Sequence, residues 1–200
     1  EFRRVLFRSD VPSLPEELSP RRSSGEVGLL SAGQLIRRKG IDLLLGACRG
    51  LPSAGWRLDI YGDGPERHSL ERLAGRLRLA DRVAFHGVIP HDRLRRELAA
   101  ADRAVLPSRF DGWGMLVNES LAVGTPVICT AACGAAAIVT GDRVGRVVPS
   151  GRIRPLAATL AAVVAEGPVE TGARVAINAH RSEEHTSELQ SPCNLVCRLL

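Results

Sequence analysis

From Val27 onward, short apolar runs alternate with amphipathic stretches. VGLLSAG (27–33), WRLDIYG (56–62), RVAFHG (82–87), RAVLPS (103–108), TPVICT (125–130) and GRVVP (145–149) read as strands. Between them, IDLLLGACRGL (41–51) reads as a helix closed by Gly50 and Pro52. PERHSLERLAGRLRL (65–79) reads as a helix with Pro65 in its first turn, where the missing N–H costs nothing. HDRLRRELAAA (91–101), MLVNESLAVG (115–124, ended by Gly124) and RPLAATLAAVVAEG (154–167) complete the helical set. Strand and helix in strict alternation, joined by short turns, predict an α/β fold: a Rossmann-like parallel sheet with helices on both faces. No repeat of fixed period interrupts the pattern. In such a sheet ligands sit beyond the carboxyl ends of the strands. The informative segments are therefore GQLIRRKG after the first strand, GDGP after the second, HGVIP after the third and SRFDGWG after the fourth.

The two ends do not follow this pattern. The opening EFRRVLFRS (1–9) can be encoded by GAG TTC AGA CGT GTG CTC TTC CGA TCT. The reverse complement of that DNA translates to RSEEHTSEL, which is the sequence of residues 181–189. Protein termini have no physical reason to be complementary-strand translations of one another, whereas flanking DNA of a sequencing library does. The strings resemble a translated short-read sequencing adapter, and residues 190–200 continue in the same manner. The expected organisation is thus a non-native segment at 1–9 and a Pro-, Ser- and charge-rich linker at 10–26. A domain follows at 27–180, and a second non-native segment at 181–200.

Composition then narrows the partners. The whole chain has 27 basic and 22 acidic residues, a formal charge of +5. Setting the ends aside removes Arg3, Arg4, Arg8, Arg181 and Arg198 with Glu1, Glu183, Glu184 and Glu188, so the excess falls by one. A mild basic excess of this kind suits an anionic ligand or a peripheral membrane-surface partner. Aromatic residues make up 4% of the chain, too few for base-stacking platforms, and no nucleic-acid partner is expected. Cys193 and Cys197 lie in the adapter-like tail. Cys48, Cys129 and Cys133 remain, an odd number in small, apolar surroundings, and read as buried thiols of a reducing compartment rather than metal or redox groups. No apolar run is long enough to span a membrane.

Three segments carry candidate chemistry. GQLIRRKG puts Gly33 at a strand exit and Lys39 at the next helix start. Lys39 is the only lysine among many arginines, as expected where a compact ammonium meets a phosphate. A solvated helix-start lysine is the plainer alternative. GDGP permits a tight turn with close backbone approach but completes no dinucleotide fingerprint, and reads as a strand-to-helix turn. SRFDGWGMLVNE (108–119) places Gly112, Trp113 and Gly114 at the start of a helix, where first-turn N–H groups can receive an anion. Asp111 and Glu119, eight residues apart, would sit on different parts of a pocket rim and suit sugar hydroxyls better than phosphate. Helix capping by Asp111 and simple exposure of Glu119 are the alternatives.

The order GQLIRRKG, YGDGPER, DRVAFHGVIP, ADRAVLPSRFDGWGMLVNESLAVGTPVI, from about Val27 to Gly151, resembles glycosyltransferase family 4. Specifically, it is similar to the carboxy-terminal, nucleotide-sugar-binding half of a two-domain GT-B enzyme. The resemblance implies a retaining glycosyltransferase that moves a sugar from a nucleotide diphosphate-sugar to a glycan or lipid-linked acceptor, without metal or other cofactor. In its E-x7-E signature Asp111 takes the first place, facing the donor sugar as the catalytic carboxylate, and Glu119 the second, on the ribose hydroxyls. Backbone around Gly112, Trp113, Gly114 and Met115 would lie near the sugar and diphosphate. Lys39, with Gly33 and Arg38, would bind the diphosphate, and the backbone of His86, Gly87 and Val88 would hold the base. Two positions depart from the family. The first carboxylate is Asp, one methylene short, and Gln34 stands where the family often has Arg, which Arg37 or Arg38 would have to replace.

The resemblance also implies an acceptor-binding domain ahead of this one, so the chain is expected to be a fragment, inactive alone. The parent is expected to work in the cytoplasm, at the inner face of the membrane. A non-catalytic nucleotide-sugar-binding module, a nucleotide-sugar epimerase of the same architecture and a purely structural α/β domain are the competing classes.

Overall fold

A computed structural model describes residues 25–169. The adapter-like segments, most of the linker and residues 170–180 lie outside the described residues. Among the described residues, six strands form one sheet: β1 (Val27–Ala32), β2 (Trp56–Tyr61), β3 (Val83–Gly87), β4 (Arg103–Leu106), β5 (Val127–Thr130) and β6 (Gly145–Val148). Every pairing is parallel and the spatial order is β3-β2-β1-β4-β5-β6. This is the doubly wound, Rossmann-like arrangement, and its strand order reverses between β1 and β4.

The apolar runs are continuous because the sheet is covered on both faces. Val27 and Leu29 of β1, Val105 of β4 and Ile128 of β5 join one core. It is shared with α1 (Ile41–Cys48), α2 (Arg67–Arg76) and α5 (Ile153–Glu166). Leu30, Ala104, Leu106, Val127 and Cys129 point the other way into a second core, under α3 (His91–Ala100) and α4 (Met115–Ala122). Trp56, Leu44, Leu58 and Ile128 are almost wholly buried. The buried Asp102 carboxylate accepts the Gly28 and Val169 N–H groups, each at 2.8 Å. It thereby ties the start of β1 to the segment beyond α5.

The expected elements are present; α1 to α4 are shorter than periodicity alone suggested, and α5 has the expected length shifted by one residue. α2 begins at Arg67 rather than Pro65 and ends at Arg76 rather than Leu79. Arg78 adopts a left-handed conformation (φ 60°). Its N–H bonds to Gly75 O at 3.0 Å while Leu79 N–H bonds to Ala74 O at 2.9 Å. These are the two bonds of a Schellman closure, which stops the helix before the apolar pattern ends. Short 3₁₀ turns at Arg37–Lys39 and Gly134–Ile138 have no counterpart in the sequence reading, since a single turn is too short to show a period.

Candidate functional site

The switch point lies between β1 and β4, so the crevice is built from the segments that leave these two strands. After β1 the chain passes through Gly33 and Gln34 into the Arg37–Lys39 turn. Gly33 N–H bonds to Tyr61 O at 3.0 Å, and Leu35 N–H to Asp63 O at 2.9 Å. These bonds lay the segment along the GDGP turn. The turn needs glycine here: a Cβ on Gly62 (φ 122°) would stand 2.0 Å from Gly33 O. GDGP therefore supports the site from behind, as a close-packed turn.

After β4, the segment from Ser108 to Asp111 is fixed by neighbouring strand exits. Ser108 O accepts the Thr130 hydroxyl at 2.6 Å, and Arg109 O the Ser150 hydroxyl at 2.8 Å. Asp111 bridges to Cys133, its N–H bonding to Ala132 O at 3.0 Å and its carbonyl accepting Gly134 N–H at 3.2 Å. Gly114, at φ 89°, then turns the chain into α4. A Cβ there would lie 2.1 Å from Cys133 Sγ and 2.9 Å from a Leu106 methyl.

A cavity of about 210 Å³ opens between these segments, lined by Gly33, Lys39, Leu94, Asp111, Met115 and Glu119 among others. Lys39 Nζ lies 2.5 Å from Asp111 Oδ2, with the two side chains 21% and 10% exposed. The Ser108 hydroxyl sits at 3.5 Å from the same carboxylate oxygen. Glu119, one turn into α4, is 19% exposed and meets His91 Nε2 at 3.0 Å. The wall thus carries one ammonium, already paired, and two carboxylates on separate parts of the rim. The N-terminal turn of α4 stands at the same opening, with N–H groups that have no partner within the helix.

The structure brings Gly33, Lys39, Asp111, Met115 and Glu119 to one wall. Gly112 and Trp113 are exposed beside it, Trp113 at 51%, while Gly114 is buried under them. Arg38 contributes its carbonyl, which accepts Arg109 N–H at 2.8 Å, and its side chain is exposed. His86, Gly87 and Val88 are not part of the cavity lining. The His86 ring stacks on Tyr61 (centroids 4.6 Å, 16°) and meets Asp59 Oδ1 at 2.7 Å, while Gly87 O accepts Gly62 N–H at 2.7 Å and Val88, just past the end of β3, is exposed. Arg37 is exposed like Arg38, and neither side chain lines the cavity.

Three contributing residues escaped the sequence reading. Arg109 grips Asp42 with both guanidinium N–H groups at 2.7 Å and donates to Arg37 O at 2.8 Å. The turn carrying Lys39 is thereby clamped to the β4 exit. The Arg109 hydrogen bonds hold the Asp42 carboxyl below its ordinary range. Nothing in the sequence links positions 67 residues apart, so neither Arg109 nor Asp42 was readable. His91, the first residue of α3, reaches Glu119 across 28 positions and was hidden for the same reason. Cys48, Cys129 and Cys133 are buried as expected. Burial raises the Cys48 and Cys129 thiols to about 12, with a further contribution from Cys133 at Cys129.

Among the described residues, no group of three or more His, Cys, Asp or Glu gathers in a way that could hold a metal ion. Likewise no helix among them is long and apolar enough to cross a membrane.

Residues 19–182 match the family model described as glycosyl transferases group 1. The chain is 34% identical over 154 residues to the lipopolysaccharide core biosynthesis glycosyltransferase LpsE of Rhizobium meliloti, covering 77% of this chain and 44% of that one. It is 36% identical over 155 residues to a GDP-mannose-dependent alpha-(1-6)-phosphatidylinositol monomannoside mannosyltransferase of Mycobacterium tuberculosis, covering 71% and 39%. The chain thus spans less than half the length of these relatives. Among solved structures, the C-terminal domain of a group 1 glycosyl transferase family protein (LpcC) from Francisella tularensis superposes with a TM-score of 0.70 at 19% identity. That match covers 90% of this chain and 96% of that domain.

Proposed function

The chain belongs to the glycosyl transferases of group 1, and from that premise we propose that it is the donor-binding half of a retaining, family 4 GT-B enzyme. Its ligand is a nucleotide diphosphate-sugar, and the whole protein transfers the sugar to a glycan or lipid-linked acceptor. One observation carries the reading: Lys39, Asp111 and Glu119, from three separate segments, line one cavity at the strand-order reversal of the sheet.

In this reading Glu119 accepts hydrogen bonds from the ribose hydroxyls, and Lys39 meets the diphosphate with the amides at the start of α4. Asp111 faces the sugar. The departing diphosphate is stabilised by the ammonium and by fixed N–H dipoles that need no reorganisation as charge develops. No metal takes part. The backbone at Gly87 and Val88 lies where the base would extend. Arg38 approaches the outer phosphate only by a rotamer change, since its exposed side chain is not part of the cavity wall. The acceptor is bound by a part of the enzyme outside this domain, in keeping with a chain that spans less than half the length of its relatives. Two of those relatives are named for lipopolysaccharide and phosphatidylinositol mannoside, which supports a cytoplasmic enzyme at the inner face of a membrane.

Calorimetric titration of the chain with UDP, GDP, UDP-glucose and GDP-mannose tests the donor site. At least one pair binds, and Lys39→Ala and Glu119→Ala each weaken it by about tenfold or more, the loss expected for a charge-assisted contact. Absence of binding, or indifference to both substitutions, rejects the site.

The adapter origin of residues 1–9 and 181–200 is part of the same proposal. The family match ends at residue 182, one residue past the start of the RSEEHTSEL string. Sequencing the genomic locus decides it, because an uninterrupted native frame encoding both strings would rule the origin out.

A further inference from the structure

The family resemblance assigns Lys39 to the diphosphate and Asp111 to the sugar, yet the structure pairs them with each other. We propose that donor binding exchanges the partner of Lys39. Asp111 thereby makes the site prefer an intact nucleotide diphosphate-sugar over the nucleoside diphosphate left after transfer. The inference rests on the donor-site reading above.

Among the described residues, Lys39 is the only cation on the cavity wall, and its ammonium is held by Asp111 at 2.5 Å. A diphosphate can take Lys39 only by drawing it off Asp111. That would leave a carboxylate, 10% exposed, without its counter-ion and close to an incoming anion. Breaking a partly buried pair in this way is costly because the remaining charge is poorly solvated. The Ser108 hydroxyl, 3.5 Å away, is too distant to replace an ammonium.

A sugar attached to the diphosphate changes the outcome. Its hydroxyls are donors, and a carboxylate facing them recovers the hydrogen bonds it lost to the exchange. A nucleoside diphosphate brings the charge that strips Lys39 away and none of the donors that satisfy Asp111. The same carboxylate then favours product release, because recapturing Lys39 restores its partner once the sugar has gone. Both segments are tied down on their backbones. Asp111 is fixed by its bridge to Cys133, and the Lys39 turn by Arg109.

Asp111→Asn keeps the side chain's shape and removes the charge. The experiment titrates the full chain and this variant with inorganic pyrophosphate, UDP, UDP-glucose, GDP and GDP-mannose by calorimetry. The expected result is that Asp111→Asn binds pyrophosphate and the nucleoside diphosphate about three- to tenfold more tightly. It gains nothing for the sugar nucleotide, so the preference for the latter narrows by the same factor, about three- to tenfold. In a Lys39→Ala background the same substitution no longer tightens nucleoside diphosphate binding by an exchange, and the two effects are non-additive. Equal weakening of both ligand classes by Asp111→Asn overturns the exchange while leaving the donor site standing, as does no change in either. Failure of the unsubstituted chain to bind any of the probes overturns both. If Asp111→Asn does not fold, shown by loss of a cooperative melt, Ser108→Ala with Asp111 intact is the second probe. It leaves the Lys39 pair in place, so the preference is retained; its loss contradicts the exchange.

Discussion

Gly114 shows how much a single position constrains this site. It sits at φ 89° with Cys133 and Leu106 packed where a side chain would begin. Gly114→Ala is expected to cost about 2–4 kcal/mol, combining left-handed strain with a backbone shift. Thermal melting checks this, and a loss below about 0.5 kcal/mol would contradict the packing described. The thiols give a second residue-scale test. With Cys48 and Cys129 raised to about 12 by burial, the thiolate is scarce at neutral pH and access is closed. A soluble maleimide at about pH 8 should leave Cys48, Cys129 and Cys133 unmodified in the folded protein, read by peptide mass mapping, and label all three in denaturant. Lys39 stood out in the sequence because it is the lone lysine. That it pairs with Asp111 was not readable, since spacing along a chain says nothing about which of two partners a charge selects.

At the scale of elements, the site depends on two strand exits held together by Arg109 and Asp42. Asp42 is partly solvent-exposed, so the pair stabilises modestly, but it positions the turn that carries Lys39. The folded Asp42 carboxyl lies below its ordinary range, chiefly through Arg109. Its contribution is therefore full above the ordinary aspartate value, near about pH 4, and is lost as pH falls through the depressed folded value. Urea unfolding of Asp42→Asn should differ from the parent chain at about pH 7 and converge with it toward about pH 2. A difference that persists unchanged in acid would assign the effect to something other than this charge. Arg109→Ala should weaken donor binding severalfold while every cavity-lining side chain remains, because the Lys39 turn loses its clamp.

At the scale of the molecule, both faces of the sheet are covered, and the residues between them carry the stability. Leu44 and Leu58 are fully buried in the same core, and Leu44→Ala is expected to cost about 2–5 kcal/mol. Chemical denaturation measures it, and a loss under about 1 kcal/mol would contradict the packing.

Strand-helix alternation, the apolar strands and the residue types after each strand were determined by the sequence alone, because burial period and turn chemistry are local properties. They were sufficient for the parallel sheet and for the segments at its carboxyl ends, and the resemblance to a transferase donor domain rested on the same stretches. The order β3-β2-β1-β4-β5-β6 was decided by tertiary packing, since adjacency in a sheet depends on contacts between segments far apart in sequence. It is this order that brings Gly33 and Asp111 to one cavity. The clamp of Arg109 on Asp42, the reach of His91 to Glu119 and the capture of Lys39 by Asp111 belong to the same class. Each joins polar or charged groups 28 to 72 residues apart, and only folding brings such groups within hydrogen-bonding reach.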